Sequence, residues 1–253
     1  MKIYLAGNQG HDIFKLFDYN FNKLDSFFYI TKETTKNIKN YKRFMLDSGA
    51  FTFIMSKKKV RVDIDEFTDR YIEYIKNNEI DLFFEMDVDN VFGYEKVKQL
   101  RNKIENKTQK QSIPVFHTNR GLNDWIAMCK DYNYIALGIA GKDVSWVDWK
   151  AFYKFVMNAK EYNCKVHGLG ITAMKCLQRV PFYSVDSTTW VNAGRFGEYQ
   201  WFDGEKILKR QARSLGMKVR DDKKNELLIN NLLQWKKFSE YMENKITASC
   251  VQY

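Results

Sequence analysis

The sequence predicts an α/β fold: a single (β/α)8 barrel of the TIM type with an extra C-terminal helix. Three observations predict it. Short, continuously apolar runs alternate with longer segments of helical period, the pattern of parallel βαβ units buried on both faces. Eight such runs can be counted along the chain, the number that closes a barrel. The length of 253 residues suits one barrel.

The elements follow in order. The first strand is expected at 3–6, an unbroken run that ends at Gly7. A helical pattern at 12–19 leads to a strand at 27–30, Phe-Phe-Tyr-Ile. A helix at 32–39 precedes the third strand, 43–46, which ends in Asp47. The helix at 64–77 is announced by Asp63 at its N-cap, with Glu66 at capping-box spacing. The fourth strand, 82–86, ends in Asp87, and a helix at 94–106 leads to the fifth, 113–116, ending in His117. A helix at 122–132, a strand at 134–138 and a helix at 146–162 behind the N-cap residue Ser145 come next. The seventh strand is 165–169, followed by a short helix at 173–179 and the eighth strand, 183–185, which ends in Asp186. Beyond a polar, basic stretch at 210–224, Leu228, Leu232, Trp235, Phe238 and Met242 recur at helical spacing. They predict an amphipathic helix at 225–244 packed on the barrel or on a partner. Residues 1–220 are thus expected to form the catalytic barrel and 221–253 a helical extension.

Composition narrows the class. Apolar residues make up 45% of the chain, enough to bury a large core. The net charge of +10 points to a polyanionic partner; a Lys-rich, solvated surface is the plainer explanation. The four cysteines form no CxxC pair, the commonest signature of a structural zinc site. Free thiols fit a reducing, cytoplasmic setting, the host cytoplasm if the source is viral. No apolar run approaches the ~20 residues of a membrane span, and the run at 3–6 is too short for a signal peptide.

Three strands that each deliver an Asp at the C-terminal end place three carboxylates on the rim where barrels do chemistry. Asp186, flanked by Ser184 and Ser187 that can tune it, can attack an electrophilic carbon or stabilise a cation; Asp before Ser is also ordinary turn chemistry. Asp47 leads into Ser48, Gly49, Ala50 and Phe51: glycine admits close approach of a ligand, and Phe51 can stack on a planar ring. The same segment also reads as a helix cap. Asp87 and Asp89 can accept hydrogen bonds from a purine edge, as turn carboxylates also do; with Glu85 they form an acidic run that lacks a phosphate loop to support Mg²⁺. His117 and His167 can bind a base or move a proton, although a core histidine is the simpler reading of His167. Gly138 and Gly168 let a flat ligand lie against backbone. Lys57, Lys58, Lys59 and Arg61 follow the Asp47 segment and can meet phosphates, or form a solvated loop. Arg195, among Trp190, Tyr199 and Trp201, mixes basic and aromatic character. No GxGxxG, P-loop or GxSxG motif is present.

From Phe44 to Trp190 these motifs resemble the tRNA-guanine transglycosylases, and more closely their short relatives that insert 7-deazaguanines into DNA in phages and bacteria. Leu46-Asp47-Ser48-Gly49-Ala50-Phe51 is similar to the segment carrying the general acid/base and a stacking aromatic. Met86-Asp87 is similar to the segment that reads the guanine edge, and Tyr134-Ile135-Ala136-Leu137-Gly138 to one that presents backbone to the base. His167-Gly168-Leu169-Gly170 stands where the family has Met-Gly-Val-Gly. Val185-Asp186-Ser187-Thr188-Thr189-Trp190 resembles the segment of the nucleophilic Asp. The resemblance implies a pentosyl-transferring glycosyltransferase. Asp186 would form a covalent intermediate, Asp47 would act as general acid/base, and Asp87, Phe51, Ser48, Gly49, His117, Gly138, His167 and Gly168 would surround the base. It implies no metal or redox cofactor, because a free 7-deazaguanine is the second substrate. The family's zinc motif is absent, so no zinc subdomain is expected and DNA is favoured over tRNA. His117 replaces the family's usual Gln. A tRNA substrate, or a non-catalytic nucleic-acid-binding role beside a protein partner or in a homodimer, are the alternatives.

Overall fold

The computed structural model describes residues 1–7, 11–50, 52, 63–138, 149–191, 196–211, 214 and 221–250. In chain order the elements are β1 (Lys2–Ala6), α1 (His11–Lys15), β2 (Asn22–Ser26), α2 (Lys32–Asn37), β3 (Arg43–Asp47), α3 (Ile64–Asn77), α4 (Asp89–Phe92) and α5 (Tyr94–Thr108). There follow β4 (Val115–His117), α6 (Leu122–Asp131), β5 (Tyr134–Gly138), α7 (Trp149–Glu161), β6 (Lys165–Gly168), α8 (Met174–Arg179) and β7 (Ser184–Ser187). The hairpin strands β8 (Glu198–Phe202) and β9 (Ile207–Gln211) precede the last helix, α9 (Asp221–Cys250).

Seven strands form one curled parallel sheet in the order β3-β2-β1-β7-β6-β5-β4. The expected strand at 82–86 is reduced to two isolated parallel bridges, Leu46 to Phe83 and Phe84 to Ile113. Backbone bonds from Leu46 N to Leu82 O (2.9 Å) and from Glu85 N to Ile113 O (3.1 Å) tie this segment to both neighbours. The strand expected at 27–30 is also corrected. Residues Phe27–Tyr29 form a 3-10 turn, and the second strand is the polar Asn22–Ser26. Phe27 leaves the sheet to pack on the rings of Phe67 and Tyr71 of α3, at 5.2 and 5.3 Å. The polar strand is tolerated because its buried charges compensate one another. Lys23 Nζ is ion-paired with Asp25 and donates to Gly7 O at 2.9 Å and Leu24 O at 3.0 Å. The first helix is shorter than the expected 12–19, and Ser145 lies outside the described residues.

Strand alternation divides the core. Tyr4, Leu24, Met45, Phe84, Val115 and Ala136 point inside the sheet's curl. Ile3, Leu5, Phe116, Ile135, Leu137 and Val185 point outward, under the helices. Asp63 caps α3 as its position implies, accepting from the amides of Asp65 (2.9 Å) and Glu66 (3.4 Å). α9 buries Leu232, Trp235 and Phe238. The β8–β9 hairpin ties it down: Asn231 Oδ1 accepts from Gln200 N at 3.0 Å, and Trp235 Nε1 donates to Gln200 Oε1 at 2.7 Å. At the other end, the N-terminal ammonium of Met1 donates to Met242 O at 3.0 Å.

Candidate active site

The interior face of each strand determines what reaches the C-terminal rim. Register pairs Ser26 of β2 with Asp47 of β3, and His117 of β4 with Gly138 of β5. Two residues below the rim lie Leu24, Met45, Val115 and Ala136, all in the interior cluster. With a period of two, Asp47, His117 and Gly138 must face the same interior. Asp186 takes the corresponding place on β7, two residues above the interior Ser184.

Asp47 has its proton affinity pushed up to about 7. Burial is the largest cause, and the charges of Asp186 and Asp87 add to it. The Gly49 N–H, which donates to Asp47 Oδ2 at 3.2 Å, and the Ser26 hydroxyl pull the other way. The charges of Asp186 and Asp87 thus both disfavour ionisation of Asp47. From outside, Tyr71 of α3 supports this edge. Its hydroxyl shares one proton between Phe84 O at 2.8 Å and the more distant Leu46 O at 3.3 Å, which ties the end of β3 to the 83–84 segment.

Asp186 is 8% exposed. Its Oδ1 accepts from the Gly170 amide at 2.6 Å and faces His167 Nε2 at 3.2 Å. His167 is fully buried, with its ring edge-on to Phe84 and Tyr4. Both its nitrogens are engaged, Nδ1 with Ser184 Oγ at 2.6 Å. The expectation that His167 touches a base directly is therefore corrected: the ring stands behind Asp186, one layer below the rim. Ser184 reaches Asp186 through that ring, and Ser187 instead accepts from the Thr189 amide at 3.1 Å in the following turn.

Asp87 is held by His117, whose Nε2 lies 2.8 and 2.9 Å from its two oxygens. Burial opposes a charged imidazole here, but Asp87 and then Asp89 outweigh it and raise the affinity of His117 for its proton. Arg120, at the end of the 3-10 turn after β4, donates to Asp89 Oδ2 at 2.7 Å and to Val115 O at 2.8 Å. Among the described residues, Asp87, Asp89 and His117 offer ligand atoms within 4.8 Å of one another, a group that could hold a divalent cation. Arg120 is ion-paired with Asp89 at 2.7 Å and offsets one of the two negative charges. Glu85 belongs to no such group. It lies on the outer face, 2.6 Å from Arg101 Nε, and accepts from Val115 N at 2.6 Å.

Ser48 is buried, and its Oγ accepts from Ala50 N at 3.4 Å. Gly49 sits at φ +76°, and a Cβ there would lie 2.5 Å from Phe28 Cβ, so its freedom serves a packed turn rather than an open ligand face. Gly138 faces the His117 ring, where a Cβ would come within 3.0 Å. Gly168 is corrected to the outer face, against Ile171 and Phe182, because His167 takes the inner one. Phe51, Lys57, Lys58, Lys59, Arg61 and Arg195 lie outside the described residues. Sequence reading missed Ser26, Arg120 and the inward role of Tyr134, which stands 2.5 Å from Ser184. The signal for Tyr134 was its spacing: it shares a strand face with Ala136 and Gly138.

No family model matches the chain, and no curated protein matches it. Among solved structures, it is similar to a crystal structure described as a "putative fructose-1,6-biphosphate aldolase" from Coccidioides immitis. The TM-score is 0.55 at 11% identity, over 96% of this chain and 89% of that one. That likeness is one of fold, and the fold is TIM-barrel-like.

Proposed function

We propose that this protein is a nucleic-acid guanine transglycosylase that exchanges guanine for a 7-deazaguanine base, in DNA. One observation carries the reading: two strands end in interior-facing carboxylates, Asp47, whose burial raises its proton affinity, and Asp186, which is anchored by a backbone amide. Two carboxyl groups with such different surroundings divide the labour of acid and nucleophile. In this reading the bridges at Phe83 and Phe84 act as the eighth stave of a closed (β/α)8 barrel.

A target guanosine is turned out of the stack into the mouth of the barrel, at a cost of a few kcal/mol in lost stacking. Asp186 attacks C1′ and forms an ester. The bond from C1′ to the base breaks, and its electron pair leaves with guanine, which takes the proton of Asp47. Guanine departs and a free 7-deazaguanine enters. Asp47 accepts its proton, the base attacks C1′, and the Asp186 carboxylate is released. Asp87 accepts from N1–H and the exocyclic amine of the base, while His117 holds it from behind. The net charge of +10 supports a polyanionic substrate. The missing zinc motif favours DNA over tRNA.

The test incubates wild type and Asp186→Ala with guanine-labelled DNA or tRNA and a 7-deazaguanine. Wild type should release label and leave a denaturation-resistant protein–DNA adduct that the variant cannot form. Exchange on tRNA instead would reassign the polymer. No exchange on either would end the transglycosylase reading.

A further inference from the structure

A line of four polar side chains runs from the candidate nucleophile into the core. Tyr134 Oη lies 2.5 Å from Ser184 Oγ, Ser184 Oγ lies 2.6 Å from His167 Nδ1, and His167 Nε2 lies 3.2 Å from Asp186 Oδ1. All four residues are at most 8% exposed, so solvent replaces none of these partners. For a neutral imidazole the donors take one consistent order. Asp186 Oδ1 already accepts the Gly170 N–H at 2.6 Å, and an ionised carboxylate is an acceptor alone, so the nitrogen facing it carries a proton. His167 Nδ1 then accepts from the Ser184 hydroxyl, and Ser184 accepts from the Tyr134 hydroxyl. The rings of Tyr4 and Phe84, at 6.2 and 5.2 Å from the imidazole, pack it edge-on.

The consequence is an unequal pair of oxygens. Asp186 Oδ1 meets two donors, and Oδ2 meets none among the described residues. We propose that His167 is a positioning residue. Its Nε2–H, with the Gly170 amide, holds Oδ1 and leaves Oδ2 as the atom that attacks, while Ser184 and Tyr134 fix the imidazole tautomer. The proposal rests on the transglycosylase reading. Oδ2 forms the bond to C1′, the bond from C1′ to guanine breaks, and the leaving electron pair goes to the base that Asp47 protonates. Two donors on Oδ1 orient the carboxylate without occupying the attacking lone pair.

The experiment compares wild type, His167→Leu and His167→Gln in single-turnover adduct formation with guanine-containing DNA and tRNA. It also follows imidazole tautomers by nitrogen NMR, which is tractable because the chain has three histidines. His167→Leu should slow adduct formation about ten- to hundredfold at unchanged DNA affinity. His167→Gln, whose amide places a donor near the Nε2 position, should recover most of the rate, a rescue that a packing role alone does not explain. Wild-type NMR should show His167 protonated on Nε2, with a signal that moves in Asp186→Asn. Adduct formation by His167→Leu at the wild-type rate, or a proton on Nδ1 in place of Nε2, overturns the proposal and leaves the transglycosylase reading standing. A wild type that forms no adduct with either polymer overturns that reading, and the assignment of the attacking oxygen falls with it.

Discussion

Asp47 shows how one side chain couples reactivity to stability. Its proton affinity is raised from 3.8 to about 7, chiefly by burial and then by Asp186. The folded state therefore holds a proton that the unfolded chain releases between those values. The stabilising contribution is full below pH 4 and is lost as pH rises toward 7. Asp47→Asn, which needs no ionisation, should melt higher than wild type at pH 8 and close to it at pH 3, by scanning calorimetry. The same variant should lose about 10²–10⁴-fold in base exchange. Wild-type adduct formation should fall about tenfold per pH unit above 7, as the acid form disappears. A flat profile there would remove Asp47 from the acid's role. Gly170, at φ +65° with open space where a Cβ would stand, predicts a mild strain of about 1 kcal/mol for Gly170→Ala. Gly49→Ala should cost more, because the added Cβ also meets Phe28. Urea titration of both variants compares them.

Among the elements, α3 and β2 were read with opposite success. Asp63 followed by an amphipathic run made α3 legible, and its cap geometry bears out that position. Asp63→Ala should lower stability by about 1 kcal/mol in urea titration, without changing the denaturant slope. The second strand was not legible, because Asn22-Lys23-Leu24-Asp25-Ser26 carries no strand signature. Tertiary pairing between β1 and β3, together with the Lys23–Asp25 ion pair, overrides the local preference. Lys23→Ala removes the ammonium from a fully buried pair and should destabilise by about 3–5 kcal/mol; the double variant Lys23→Met, Asp25→Leu should recover much of that loss. Equal stabilities of the single variant and wild type would show that the pair is not what holds β2 in the sheet.

At the scale of the whole molecule, β1 and α9 are tied together. Met1 meets Met242, and Leu232, Trp235 and Phe238 of α9 share one core with Ile3, Leu5 and Val185. Three such buried side chains are worth on the order of 1.5–3 kcal/mol each, a large share of an ordinary domain's stability. A chain ending at residue 220 should therefore lose its cooperative thermal transition. A sharp melt from that truncation would show the barrel to be self-sufficient. The charge of +10 acts at this scale as well. Affinity for DNA should fall steeply between 50 and 200 mM salt, with a log–log slope that counts the phosphates neutralised, on the order of 0.9 per contact.

The sequence by itself determined which residues could stand on the rim: Asp47, Asp87, His117 and Asp186 each follow an apolar run, and the end of a buried run is where the chain reaches the rim. It also determined most of the alternation of strand and helix, because a short unbroken apolar run and a 3.6-residue period are local properties of the chain. The tertiary structure alone decided which way the neighbours of those residues point. His167 turned inward to hold Asp186, Gly168 turned outward, and His117 closed on Asp87. Hydrogen bonds between strands 15 to 30 residues apart select among side-chain orientations that no local period distinguishes.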